Sequence, residues 1–353
     1  MCNESIEATM RNIALRLEYD GRLFHGWQSQ INAPTVQDTV AAAIRKLDGC
    51  AAVAAPVSLC DTVAAPVRLI GASRTDTGVH ARGQVANFHT ESNIPADKYS
   101  YALNTVLPEG VVCIQSTEAP ADFHARFCAT EKTYSYLILN RRPPSALYRD
   151  RAWHIPLTLD ISAMRRAAAL LTGEHDFRAF MSTGSPVKST VRTITRLEII
   201  TCAADATDTA YSATDIGAGT SADIADAAAD TATDISVAIA SATDIPVAGT
   251  GIGTGIADTS DPAGAAASDT SYPAAGTGVD RLIRIIISGN GFLYNMVRII
   301  TGTLVYVGQH KLDTADVRAA LTTGLRESAG KTAPPQGLCL ERVNYADYPH
   351  LFD

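Results

Sequence analysis

Residues 203–279 contain eleven aspartates and no glutamate, lysine or arginine. The rest of the stretch is almost wholly Ala, Thr, Ser, Gly and Ile, with Ala-Thr-Asp-Ile recurring at 213–216, 232–235 and 242–245. A repeat of this kind makes a solenoid only if each turn supplies large apolar residues to a shared core, and here Ala and Thr dominate. So little apolar area cannot offset the entropy of ordering the chain. The segment therefore reads as a long disordered insertion. A smaller expansion repeats Val-Ala-Ala-Pro-Val at 53–57 and 63–67.

The insertion distorts the charge of the whole. The 353 residues carry 29 Lys+Arg and 37 Asp+Glu, a formal net charge of −8. The insertion holds −11, so the other 276 residues carry +3. A polyanionic partner stays open for that mildly basic body. No apolar run approaches the roughly 18 residues of a spanning helix. The opening Met1-Cys2-Asn3-Glu4-Ser5-Ile6-Glu7 is acidic and does not read as a secretion signal. Seven cysteines without a Cys-x-x-Cys pair argue against a disulfide framework or zinc site and suit a reducing cytoplasm.

Without the expansions the chain alternates strands with a few helices. Asn12–Tyr19 alternates apolar and polar residues, the pattern of a half-buried strand. Pro34-Thr35 opens a helix with Val36, Val40, Ile44 and Leu47 on one face, ending at Gly49. Residues 68–72 and 84–89 read as strands around a loop at 73–83, and Lys132–Asn140 as a further strand. A helix behind Asp160 places Met164, Ala168 and Leu171 on one face. Strands at 192–200 and 281–288 flank the insertion, which a hairpin turn tolerates because loop closure costs only about 0.6 kcal/mol per doubling of length. Leu293, Met296, Val297, Ile300 and Leu304 mark a buried helix, and Thr314–Thr323 a last one ending at Gly324. These elements predict an α+β fold with a mainly antiparallel mixed sheet flanked by helices, in two related halves, 1–125 and 126–353.

The densest polar cluster is Gly71-Ala72-Ser73-Arg74-Thr75-Asp76-Thr77-Gly78-Val79-His80-Ala81-Arg82-Gly83. A carboxylate beside an arginine is expected to stay ionised, its pKa lowered by roughly 1–3 units, and to suit nucleophilic or general-base work. The same spacing also fits a structural Arg–Asp pair ordering the loop. A hydrolase nucleophile or metal ligand is disfavoured, because no second carboxylate lies in the loop. Tyr134 shares its strand face with Tyr136 and Ile138, which by itself is a core pattern. Arg298 sits on an otherwise apolar helix, as a cleft residue or one half of a buried ion pair.

Arg74-Thr75-Asp76-Thr77-Gly78-Val79-His80 resembles the catalytic loop of the tRNA pseudouridine synthase A family. Five further blocks resemble that family in order, from about residue 12 to 345. They are Tyr19-Asp20-Gly21 with Phe24-His25-Gly26-Trp27-Gln28; Phe123-His124-Ala125-Arg126-Phe127 with Lys132-Thr133-Tyr134-Ser135-Tyr136; Gly173-Glu174-His175-Asp176-Phe177; Phe292-Leu293-Tyr294-Asn295-Met296-Val297-Arg298; and Ala333-Pro334-Pro335-Gln336-Gly337-Leu338.

The resemblance implies a pseudouridine synthase fold and an isomerase that converts uridine to pseudouridine at positions 38, 39 and 40 of the tRNA anticodon arm. It implies no cofactor and no metal, a homodimer binding each tRNA across both subunits, and a cytoplasmic enzyme without a membrane segment. On the matching positions it makes Asp76 the nucleophile and Arg74 the arginine that pairs with it and enters the RNA duplex. Tyr134 becomes the ring that stacks on the flipped base. Residues Phe123, His124, Ala125, Arg126 and Phe127 match an RNA-contacting segment, with Phe123 and Phe127 expected to anchor it in the core. Gly184, Ser185, Pro186, Val187 and Lys188 match another, although that stretch holds a single basic residue. A catalytically silent RNA-binding protein of the same fold is the competing reading.

Overall fold

The computed structural model describes residues 10–51, 67–184, 187–203 and 281–353. The repeats of 204–279 and the expansion at 53–57 and 63–66 lie outside the described residues, so the expectation of a disordered insertion is not addressed by the fold.

The first strand, β1 (Arg11–Tyr19), leads to helix α1 (Val36–Ala51), the short β2 (Ile70–Gly71) and the long β3 (His80–Thr90). Helix α2 (Tyr99–Asn104) and β4 (Val111–Ala119) complete the part before residue 126. Then come β5 (Glu131–Asn140), β6 (Trp153–Ile155), α3 (Ile161–Leu171), β7 (Gly173–Asp176) and β8 (Val191–Ala203). After the insertion follow β9 (Arg281–Gly289), α4 (Met296–Gly308), α5 (Thr314–Thr323) and β10 (Leu338–Asn344). The strands form one sheet in the order β4-β1-β3-β10-β5-β9-β8-β7, with β2 on β3 and β6 on β5. Only β10–β3 and β6–β5 are parallel; the other pairings are antiparallel. The fold is α+β, with helices flanking a mixed sheet.

Local chemistry accounts for several boundaries. The Asp160 carboxylate accepts from the Ala163 amide and caps α3, and Asp313 and Asp316 form a capping box on α5. Gly324, at φ 68°, ends α5 in the left-handed region. The antiparallel register brings Ala203 opposite Arg281, so β8 and β9 run to the edges of the insertion, as the two flanking strands predict. Other boundaries differ from expectation. Helix α1 continues past Gly49 to Ala51, and β3 begins at His80 rather than 84, because Ala81 already pairs with Tyr19. Strand β1 is buried on both faces only over Asn12–Leu15; beyond that it alternates as expected, with Arg16 partly buried and Glu18 exposed. Asn12 faces inward too, its amide donating to the carbonyls of Pro120 and Phe123 at 2.8 and 3.0 Å.

Helix α4 is apolar around nearly its whole circumference, which only a buried helix can be. The segment 330–333 crosses it on the way to β10. The Gly330 amide donates to Thr303 Oγ1 at 2.8 Å and the Ala333 amide to the Arg298 carbonyl at 3.0 Å. A Cβ on Gly302 would stand 1.7 Å from the Lys331 carbonyl oxygen, so the two backbones meet only because residue 302 has no side chain. Gly302→Ala is expected to cost about 1–3 kcal/mol, the range for overpacking a filled core, and to lower the thermal midpoint by several degrees. Thermal denaturation followed by circular dichroism checks this; an unchanged midpoint contradicts the close crossing.

The topology decides where a site can form. Strand β10, last in the chain, lies between β3 and β5, with Cys339 opposite His80 on one side and Leu340 opposite Tyr134 on the other. Strand β9 pairs with β5 and runs into α4. Four pieces of chain distant in sequence thus meet mid-sheet: the loop before β3, the start of β5, the start of α4 and the start of β10.

Candidate active site

The loop from residue 72 to 79 is fastened along its length. Gln84 grips Ser73 twice, accepting from its amide at 3.2 Å and donating to its carbonyl at 2.6 Å. The Trp27 amide donates to the Thr75 carbonyl at 3.0 Å, and the Tyr19 hydroxyl meets Thr75 Oγ1 at 2.7 Å. These bonds explain the opening block: Tyr19 and Trp27 are buried beneath the loop and hold it. The Val79 amide closes a turn onto the Asp76 carbonyl at 3.1 Å, with Gly78 at φ 80°, the third-position geometry that favours glycine.

Asp76 is thereby presented from a rigid turn with its side chain 30% exposed. Its cationic partner is Arg298 of α4, with Nη1 3.5 Å from Asp76 Oδ2. That separation makes an ion pair with a long hydrogen bond and leaves most of the carboxylate's accepting capacity free. Arg298 is held independently, donating from Nε to the Ala333 carbonyl at 2.8 Å and from Nη1 to Asn295 Oδ1 at 2.7 Å. Asn295 precedes α4 in the left-handed region, at φ 60°, which asparagine tolerates. The expected pairing of Arg74 with Asp76 is not the one formed: Arg74 is exposed at the cleft wall. The expected lowering of the Asp76 pKa is also reversed. Burial raises it above the ordinary carboxylate range, and Arg298 offsets only part of that.

Tyr134, on β5, turns toward the same loop. Its hydroxyl lies 2.6 Å from Ser73 Oγ and its ring meets Phe292 edge-on at 5.3 Å. Burial pushes its phenol up to about 12, so it stays protonated at neutral pH. Tyr136, two residues on, is fully buried and spends its hydroxyl on the Pro334 carbonyl at 2.7 Å. Both rings are buried, Tyr134 at 6% exposure, but of the two only Tyr134 also lines the cleft.

The cleft around Asp76 and Tyr134 has a volume of about 1000 Å³. Arg68, Arg74, Arg126, Lys132, Arg192 and Arg298 line it, and among the described residues Asp76 is the sole carboxylate of the lining. A single acid in a cationic groove is the electrostatic footprint of a polyanion site around one reactive group.

Comparison with known proteins gives the same direction. A family model described as tRNA pseudouridine synthase matches residues 17–128 and 167–346. The chain belongs to this family. The tRNA pseudouridine synthase A of Acetivibrio thermocellus is 39% identical over 336 residues, covering 95% of this chain and all of that protein. Those of Ruminiclostridium cellulolyticum and Moorella thermoacetica are 37% and 35% identical, covering 95% and 94% of this chain and 100% and 99% of theirs.

The synthase places the residues of the two expected RNA-contacting segments unevenly. His124, Arg126 and Phe127 line the cleft. Phe123 is 2% exposed and packs edge-on against Tyr345 and Tyr348. Ala125 is buried, its carbonyl accepting from the Tyr345 hydroxyl at 2.7 Å. These two hold the segment from inside. The expectation that Phe127 also anchors it is incorrect: Phe127 is 76% exposed, stacked on His124 at 4.3 Å with the Arg126 guanidinium over its ring. Stacking against its own segment satisfies the ring without burying it. In the second segment, Gly184 and Val187 line the cleft, Lys188 is exposed outside the lining, and Ser185 and Pro186 lie outside the described residues. The sequence pattern marks Arg298 as a cleft or ion-pair residue without its partner, which is Asp76, but does not single out Ser73 as partner of Tyr134 or the cleft residue Lys132. The last had a usable signal, since two positions before Tyr134 on a strand is the same face.

Proposed function

We propose that this synthase isomerises uridine to pseudouridine at positions 38, 39 and 40 of the tRNA anticodon arm, with Asp76 as the nucleophile. The observation that carries this reading is Asp76 itself: among the described residues the only carboxylate of a cationic cleft, fixed on a fastened turn and paired with Arg298. The reaction breaks the N1–C1′ glycosidic bond, turns the uracil, joins C5 to C1′ and releases the C5 proton while N1 gains one. Nothing is added or lost, so a nucleophile and groups that hold the base suffice. The ion pair with Arg298 favours the ionised carboxylate that such a step needs, against the burial that opposes it.

The target base must leave its stack to reach Asp76. Tyr134, immobilised by Ser73 and Phe292, supplies the flat partner that replaces lost stacking, worth about 1–3 kcal/mol. Arg74, exposed at the cleft wall, enters the space the base vacates. His124, Arg126 and Phe127 contact the strand beside it. The enzyme acts in the cytoplasm as a homodimer of two-halved subunits, with the tRNA across both; light scattering of the purified chain tests the dimer. No helix among the described residues is long and apolar enough to cross a membrane.

The experiment is to map pseudouridine in tRNA from a strain lacking the modification, complemented with wild type or Asp76→Ala. Modification at 38–40 by wild type alone supports the proposal. Modification by neither, with tRNA still bound, favours a silent RNA-binding protein of this fold.

A further inference from the structure

Lys132 opens β5 on the face that carries Tyr134 and lines the cleft. Its Nζ donates to the Ala72 carbonyl at 2.7 Å, at the root of the loop that carries Asp76. An ammonium has three N–H donors, and among the described residues this one uses a single donor. Among the described residues no carboxylate stands within ion-pair distance of it. Asp76 pairs with Arg298 instead, and the neighbouring Glu131 accepts from Thr195 Oγ1 and Asn344 Nδ2. Burial, and after it the neighbouring cation Arg126, hold the Lys132 ammonium down to about 8.

A half-buried ammonium with a like charge beside it and no acid is costly. Loop support alone does not require it, because Gln84 and Tyr134 already hold Ser73 with uncharged groups. Lys132 and Arg126 both line the cleft, and two cations there match an anion with two free oxygens. On the function proposed above, on which this inference rests, the anion available is the phosphodiester of the bound RNA.

We propose that Lys132 and Arg126 together seat a phosphodiester group flanking the target uridine, fixing the position of its ribose over Asp76. Lys132 then fastens the catalytic loop through Ala72 and the RNA strand through phosphate, and ties the two to one point. Arg126, on a segment anchored by Phe123 and Ala125, is positioned to share the charge.

The test is a cycle between protein and RNA. Anticodon-arm RNAs carry one methylphosphonate, which removes the phosphate charge at nearly constant shape, on the 5′ or the 3′ side of the target uridine. Wild type, Lys132→Met and Arg126→Gln are compared in binding, all in an Asp76→Asn background, and in turnover with Asp76 intact. At one of the two phosphates, wild type is expected to lose about tenfold or more in affinity on neutralisation, the scale of a charged hydrogen bond. Lys132→Met should lose a similar factor with the unmodified RNA and little more with the neutralised one. Losses that multiply independently at both phosphates overturn the proposal and leave Lys132 as loop support. If Lys132→Met does not fold, Arg126→Gln and Lys132→Arg carry the same cycle, the latter keeping the coupling. Coupling in binding without pseudouridine formation by wild type would retain the phosphate seat and discard the proposed reaction.

Discussion

Asp76→Asn is expected to abolish pseudouridine formation, a loss of roughly 10⁴-fold or more as for removal of a catalytic nucleophile, while leaving the protein as stable as wild type or more so. The two halves of this expectation have one cause. Burial raises the Asp76 pKa, so the folded protein holds this proton more tightly than the unfolded chain does. Stability from this group is therefore fully present below the unfolded pKa and is lost as pH rises through the folded one. At neutral pH the ionised carboxylate weakens the fold, and asparagine relieves that cost at almost unchanged size. Arg298 keeps its bonds to Ala333 and Asn295 in the variant. Single-turnover assays with anticodon-arm RNA, and thermal midpoints at pH 7 and pH 4, check both halves. The stability gain should narrow toward the lower pH. A variant that lost activity only together with several degrees of midpoint would point to Asp76 as a structural residue.

A carboxylate that costs stability belongs to the trade between fold and function, and sequence patterns show such sites only partly. The motif around Asp76 was legible because tight turns and their glycines are local. So were β5, the caps at Asp160 and Gly324, and the strands flanking the insertion, since each depends on neighbours within a few positions. The partner of Asp76 was not legible, because it lies 222 positions away and reaches the site through the order β3-β10-β5-β9. Strand β10 was missed for the same reason: its parallel pairing with β3 is a long-range contact with no local signature. The direction of the Asp76 pKa was misjudged because an adjacent arginine in sequence suggested a charge pair, whereas burial, a property of the whole fold, outweighs the pair actually formed.

Charge was legible once it was divided. The whole chain at −8 argues against RNA, and the body at +3 only permits it. The cleft goes further, concentrating six cations around a single acid. Local concentration rather than net charge governs the field that a bound polyanion meets.

Arg298 is where these threads converge, and its replacement should show as a shift in pH dependence before anything else. Removing a cation from beside a buried carboxylate leaves burial unopposed and raises the pKa further. Because the nucleophile acts in its ionised form, the acid limb of the profile of kcat/KM should move upward in Arg298→Met. The variant should lose more activity toward the acid end of the profile than toward the alkaline end. Arg298→Lys keeps the charge but cannot reproduce both the Ala333 and Asn295 bonds, so its limb should stay closer to wild type while its stability falls. A purely structural Arg298 predicts the opposite pattern, with both variants losing activity equally at every pH and the acid limb unmoved. The profile thus separates an arginine that sets the charge of Asp76 from one that merely ties α4 to the 330–333 segment.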